Sequence, residues 1–280
     1  PFMTNPRSML VTSGKGGVGK THFSVSASIE WARMGQRVIL VDVDYGTPNS
    51  HIYLDIKKRE NTLKEVIQGR CSLEKALCEI PRDYWMGESD TEGGSLHFLP
   101  GSINRFVMED FSAKEQLKLQ DSLNQLKNEA DIFVFDSGAG IDSNLLKFSA
   151  FCEEMILITD VEPASRADAL RLWFSVQELD SPPICWLVPN SVKDELEGNA
   201  LFVHLKEKME DAPLRWAGAI RNDERLMEAT RAGEIFNLRE PGSMASIDLR
   251  EIAKTMLEES PFGDGSGAGF GAIINEALDF

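Results

Sequence analysis

Apolar runs of four to six residues, rich in Val, Ile, Leu and Phe, recur along the chain between longer segments whose apolar positions repeat with a helical period. Runs without polar alternation belong to strands covered on both faces. The pattern therefore predicts an α/β fold, a doubly wound and mostly parallel sheet with helices on both faces. The predicted strands are Met9–Thr12, Val38–Val41, Ile132–Phe135, Met155–Thr159, Ile184–Val188 and Trp216–Ile220. Each stops where polar or glycine residues begin, and ligands of such sheets sit at those carboxyl ends. A helix is predicted from Phe23 to Met34. Asn61 caps another that carries Leu63, Val66 and Ile67 and ends at Gly69, and Ser112 with Glu115 forms a capping box before Leu119, Leu123 and Leu126. Pro163 suits the first turn of a further helix with Ala169, Leu170 and Trp173 on its apolar face. Residues 1–259 read as one domain, 260–269 as a Gly/Ser-rich connector and 270–280 as a tail.

Ser13-Gly14-Lys15-Gly16-Gly17-Val18-Gly19-Lys20-Thr21 follows the first strand directly and opens the first helix. It satisfies G-x-x-x-x-G-K-[ST] from Gly14 to Thr21 in the strand–loop–helix setting that the motif requires. The glycines let consecutive backbone N–H groups turn inward, and the helix adds its positive end, so phosphate is the natural occupant. Lys20 is placed to reach the β and γ phosphates, and the Thr21 hydroxyl is placed to ligate Mg²⁺. Asp42 and Asp44 end the second strand, and their i, i+2 spacing sends both carboxylates to one side.

Composition narrows the partners. Twenty-nine Lys plus Arg against forty-five Asp plus Glu leave a formal charge of −16, a field that repels nucleic acid and anionic lipid. DNA is therefore an unlikely ligand. Cys71, Cys78, Cys152 and Cys185 are too sparse for a disulfide framework and match no zinc or redox spacing, so they read as reduced thiols. No stretch has the length of a signal peptide or membrane span, which places the expected location in the cytoplasm.

Lys15 is not required by a plain phosphate loop. With it the motif resembles the deviant Walker A box of the MinD/ParA family of ATPases, K-G-G-x-G-K-[ST]. That resemblance implies a P-loop NTPase of MinD-like fold that uses ATP and Mg²⁺ and closes into a homodimer around the nucleotide. Lys15 would reach the partner's phosphates. Gly14, Lys15, Gly16, Gly17, Val18, Gly19, Lys20, Thr21 and the following His22 would form the ATP cradle, with Lys15, Lys20 and Asp44 as the catalytic set. Asp42 would lie near Mg²⁺, and Asp44 would position the attacking water. Asp136, which ends Ile132-Phe133-Val134-Phe135, resembles the Walker B acid and would hold the metal through water. Asn190, in Val188-Pro189-Asn190-Ser191, stands where the family reads the adenine edge. Gly46 and Asn49 also fit the family pattern.

The resemblance covers residues 8 to 257. Within the family, Glu162-Pro163-Ala164-Ser165-Arg166-Ala167-Asp168-Ala169 is similar to the E-P-x-S-x-x-D-A segment of the flagellar-number regulators FlhG/FleN, and Leu99-Pro100-Gly101-Ser102 points the same way. A spatial switch in flagellar number or placement follows as the expectation, with an FlhF-like GTPase, another flagellar regulator or a MinC/MinE-like protein as partner. A division-site regulator, a segregation ATPase and a nucleotide-binding scaffold with little turnover stand as alternatives. His22, in place of a second Thr or Ser, and Arg221, in place of a Pro near the base, depart from the family. In the tail, Phe270, Ile273, Ile274 and Leu278 recur at amphipathic-helix spacing, yet residues 255–280 hold no Lys or Arg. Peripheral docking on the inner membrane, docking on a partner or on the body of the protein, and a disordered end are its three readings.

Overall fold

The computed structural model describes residues 6–44, 48–56, 61–86, 93–102, 113–209 and 212–261. The expected doubly wound architecture is present. The strands are β1 (Arg7–Ser13), β2 (Arg37–Asp42), β3 (Cys78–Glu79), β4 (Ser95–Leu99), β5 (Ile132–Ala139), β6 (Glu154–Thr159), β7 (Ile184–Val192), β8 (Leu214–Trp216) and β9 (Ile220–Arg221). Among the described residues they form one sheet in the order β3-β4-β2-β5-β1-β6-β7-β8, with β9 pairing β7. All pairs are parallel except β3 with β4.

The helices are α1 (Lys20–Arg33), α2 (Ser50–Tyr53), α3 (Leu63–Ile67), α4 (Leu73–Ala76), α5 (Arg82–Trp85), α6 (Ala113–Gln125), α7 (Ser143–Phe151), α8 (Pro163–Gln177), α9 (Glu195–Lys208), α10 (Glu224–Ala232), α11 (Phe236–Arg239) and α12 (Met244–Glu258). The two faces of the sheet explain the unbroken apolar strands. Leu10, Phe133, Phe135, Met155 and Leu157 point into one core with α6, α7, α8 and α9. Met9, Val11, Ile132, Val134 and Ile156 point into the other with α1 and α12. A strand buried on both sides has no polar face to alternate with.

Several local readings change. The segment expected as one strand, Trp216–Ile220, is two short strands broken at Gly218, whose φ of +132° suits no side chain and whose missing Cβ leaves room for Ile252. Thr62 rather than Asn61 caps α3, because Thr62 and Glu65 satisfy the capping box reciprocally. Strand β4 was not expected. Its pattern of half-buried Ser95 and His97 between buried Leu96 and Phe98 reflects its place next to the short edge strand β3. Pro163 does open α8. Ser112, Gly46 and the tail residues Phe270, Ile273, Ile274 and Leu278 lie outside the described residues. Cys78, Cys152 and Cys185 are buried and Cys71 is partly buried, each outside any disulfide. No helix among the described residues is long and apolar enough to cross a membrane.

At the amino end of the sheet, away from the phosphate loop, a buried network ties four elements together, β1, β6, β7 and α12. Arg7 Nε and Nη2 donate to the two Glu154 oxygens at 2.7 and 2.6 Å, and Trp186 Nε1 donates to Glu154 at 2.7 Å. Arg7 Nη1 donates to the Met256 carbonyl near the end of α12 at 2.8 Å.

Candidate nucleotide site

Strand order decides what meets at the carboxyl edge. Because β5 lies between β1 and β2, the end of β5 brings Asp136 directly beside Asp42, its register partner, under the loop that follows β1. Gly17 and Gly19 take φ of +81° and +100°, which closes the loop over α1. Gly14 packs so closely on α8 that a Cβ there would run into the backbone of Asp168 and Ala169. Gly16 and Gly17 are exposed at the tip, where a ligand can approach.

Lys20 is buried and its Nζ donates to Ser13 Oγ at 2.9 Å, while the Ser13 hydroxyl donates to the Lys15 carbonyl at 2.7 Å. Burial lowers the Lys20 pKa, and the nearby Asp136 and Asp44 carboxylates act in the opposite direction. Asp136 is fully buried and accepts from Ser24 Oγ and Ser50 Oγ, both at 2.8 Å, and from the Thr21 hydroxyl. Asp42 is also fully buried and accepts from the backbone N–H groups of Asp44 and Ser50 at 3.1 and 3.3 Å. Burial pushes both carboxyls up, and Asp42 is raised further by the charge of Asp136. Asp44 is half-buried, and its carboxylate lies where a Cβ on Gly138 would sit 3.3 Å from it.

Two neighbouring buried carboxylates against one buried ammonium leave surplus negative charge, and the donors around them are all oxygens. That set suits a hard divalent cation. Among the described residues no group of three or more His, Cys, Asp or Glu forms a metal site by itself, so such a cation would lean on phosphate oxygens as well. Ser24 and Ser50 were missed in the sequence. Ser24 is legible afterwards, since it stands four residues beyond Lys20 on the same face of α1, but Ser50 reaches Asp136 only through the fold.

Four further residues have unexpected company. Lys15 is half-exposed at the rim and forms an ion pair with Glu162, the residue that precedes α8. Asn190 Nδ2 donates to the Val18 carbonyl at 2.7 Å, and its Oδ1 accepts from the Ser191 N–H at 2.8 Å, so the amide braces the phosphate loop. One N–H and one lone pair remain on it. Arg221 does not float near the site, because Asp248 on α12 holds it through paired hydrogen bonds, the Nε contact being 2.8 Å. His22 packs on Tyr53 with ring centroids 5.0 Å apart, and burial pushes its pKa down to about 4.

The nucleotide-binding domain profile of CobQ, CobB, MinD and ParA matches residues 9–236. The chain belongs to this family. It is 28% identical to the antiactivator FleN of Pseudomonas aeruginosa over 247 residues, covering 87% of this chain and 84% of that protein. It is 27% identical to the septum site-determining protein MinD of Bacillus subtilis over 253 residues, covering 90% and 89%. The solved structure of MinD from Pyrococcus horikoshii in complex with Mg-ADP superposes with a TM-score of 0.69 at 22% identity, over 93% of this chain and 99% of that one. The family is one of nucleotide-binding domains, and the solved neighbour shares its fold with this chain.

Proposed function

We propose that the chain is a Mg²⁺-dependent ATPase, monomeric without ATP, that closes into a homodimer over two ATP molecules and works as a regulatory switch in flagellar number or placement. The observation that carries this reading is the buried Asp42–Asp136 pair facing Lys20 beneath a glycine loop. The arrangement has charge to spare for a cation and donors to spare for phosphate. Mg²⁺, when bound, neutralises charge on the phosphates beside Thr21, Asp42 and Asp136. Lys20 meets the β and γ oxygens from below. Asp44, at the edge of the pocket, orients the attacking water and holds it against the γ phosphorus. Lys15, on the outer rim, leaves Glu162 and delivers its charge to the partner subunit's nucleotide, so turnover depends on dimerisation. Hydrolysis, slow alone and raised by a partner protein, reopens the dimer.

The flagellar role is supported by the E-P-x-S-x-x-D-A segment from Glu162 to Ala169 and by FleN among the relatives. A division-site role is the second reading, because MinD aligns over the same span. The partners that separate them are an FlhF-like GTPase or another flagellar regulator and a MinC/MinE-like protein. Light scattering with Mg²⁺ and a non-hydrolysable ATP analogue tests the core of the reading. Wild type should double in mass and Lys15→Ala should stay single while still binding nucleotide. A Lys15→Ala dimer as stable as wild type removes the cross-subunit role. For the tail, flotation with liposomes and ATP should recover the full chain and not one ending at Glu259; equal recovery excludes membrane docking through residues 270–280.

A further inference from the structure

Asp42 ends β2, Asp136 lies on β5, and both are fully buried. Asp42 Oδ1 accepts from the Asp44 N–H at 3.1 Å, and its Oδ2 accepts from the Ser50 N–H at 3.3 Å. Asp136 Oδ1 accepts from Ser24 Oγ and its Oδ2 from Ser50 Oγ, both at 2.8 Å. Ser50, the first residue of α2, therefore donates to both acids, its N–H to one and its hydroxyl to the other. It is fully buried as well. It stands 8 residues after Asp42 and 86 before Asp136, so the fold alone gives it this double contact.

A carboxylate offers about four lone-pair sites on two oxygens, and a donor on one oxygen fixes the plane of the whole group. Two like charges side by side turn away from each other unless a common donor holds them. Ser50 is such a donor. Ser24 is not its equivalent, because the Ser24 hydroxyl also lies 3.1 Å from the Lys20 carbonyl and has one proton to give. Mg²⁺ demands near-ideal octahedral geometry and keeps several of its waters, so acids that hold it through water tolerate little rotation. Loss of the Ser50 hydroxyl would not be made good by solvent, since one deleted oxygen leaves less than the roughly 30 Å³ that a water occupies in the liquid.

We infer that Ser50 is a positioning residue for the divalent cation. Its hydroxyl sets the plane of Asp136 and its N–H that of Asp42, so the two acids meet a hydrated Mg²⁺ without first turning. This rests on the nucleotide and Mg²⁺ reading above and deepens it. Ser50 acts through the two acids rather than on the phosphates. Outer partners of this kind are worth about 10- to 100-fold in metal affinity. A residue that only supported the fold would change stability and leave the dependence on Mg²⁺ where it was.

Calorimetric titration of the full chain with ADP over a series of free Mg²⁺ concentrations tests this. The quantity read is the Mg²⁺ concentration that gives half of the full gain in ADP affinity. Ser50→Ala deletes the hydroxyl and keeps the N–H, and should raise that concentration at least about tenfold, with a much smaller change in ADP affinity in EDTA. Ser50→Thr keeps a hydroxyl and should return it to within about threefold of wild type. Ser50→Cys, close in shape with a weak donor, should fall between them and keeps the test open if Ser50→Ala does not fold. A half-point in Ser50→Ala within about twofold of wild type, equal shifts in the Ala and Thr variants, or an equal loss of affinity with and without Mg²⁺ overturns the inference and leaves Ser50 a structural residue. A wild type that binds ADP equally with and without Mg²⁺ overturns the cation reading together with it, and one that binds no ADP overturns the nucleotide reading.

Discussion

Glu154→Gln keeps the shape of a buried side chain and removes its charge. In the folded protein three donors converge on this carboxylate, Arg7 Nε and Nη2 and Trp186 Nε1, at 2.6 to 2.7 Å. Glu154 is fully buried and Arg7 is 2% exposed, so neither charge is shared with water. After substitution the guanidinium has no counter-charge, and one end of the new amide turns donors toward donors. Removing one member of such a pair costs about 3–5 kcal/mol, because the surviving charge stays buried. Domains hold only about 5–15 kcal/mol in total, so the loss is a large part of the whole. At about 2–4 °C per kcal/mol for a chain of this class, the midpoint of thermal unfolding should fall by about 6–20 °C. Urea unfolding, followed by tryptophan fluorescence and by circular dichroism, measures the free energy, and Trp186 reports on the network itself. Arg7→Met combined with Glu154→Leu should recover more than half of the loss, because two apolar residues carry no unpaired charge. A Glu154→Gln protein within about 1 kcal/mol of wild type would refute the view that this pair locks β1, β6, β7 and α12 together.

Gly14→Ala should abolish nucleotide binding or cost about 2 kcal/mol or more of stability, since its Cβ meets the backbone of Asp168 and Ala169, which cannot rotate away; binding by isothermal titration at wild-type strength would contradict that contact. His22 has a folded pKa of about 4 against an ordinary 6.5. As pH falls below 6.5 the unfolded chain takes up the proton first, so the stability held above that value drains away down to about pH 4, by about 3 kcal/mol in full. His22→Thr should lack this part of the slope, and parallel urea curves for the two proteins at pH 7 and 4.5 check it. Glu162→Gln frees Lys15 from its ion pair in the single subunit. Because the pair is largely exposed and screened by water, little is lost in breaking it, so the ATP-dependent dimer should tighten modestly in sedimentation velocity; a weaker dimer would mean that Glu162 serves the interface instead.

Much of the candidate site was legible in the sequence, and for a local reason. The loop from Gly14 to Thr21, the strand before it and the helix after it are neighbours in the chain, so turn chemistry and periodicity are enough to place them. The pair Asp42 and Asp44 at a strand end is local in the same sense. Boundaries were less secure. Thr62 displaced Asn61 as a cap because one more hydrogen bond was available from Glu65, and Gly218 broke a strand that an apolar count had joined.

The chain by itself determined its phosphate loop and most of its long elements, because those depend on residues a few positions apart, whereas β4 and the break at Gly218 did not show in the pattern. The tertiary structure alone decided that Asp42 and Asp136 stand side by side and that Lys15 meets Glu162 across 147 positions. Strand order and the packing of the phosphate loop on α8 create these encounters. Each is a contact between segments whose spacing in the sequence carries no period, so only the burial of two apolar sheet faces at once brings them together.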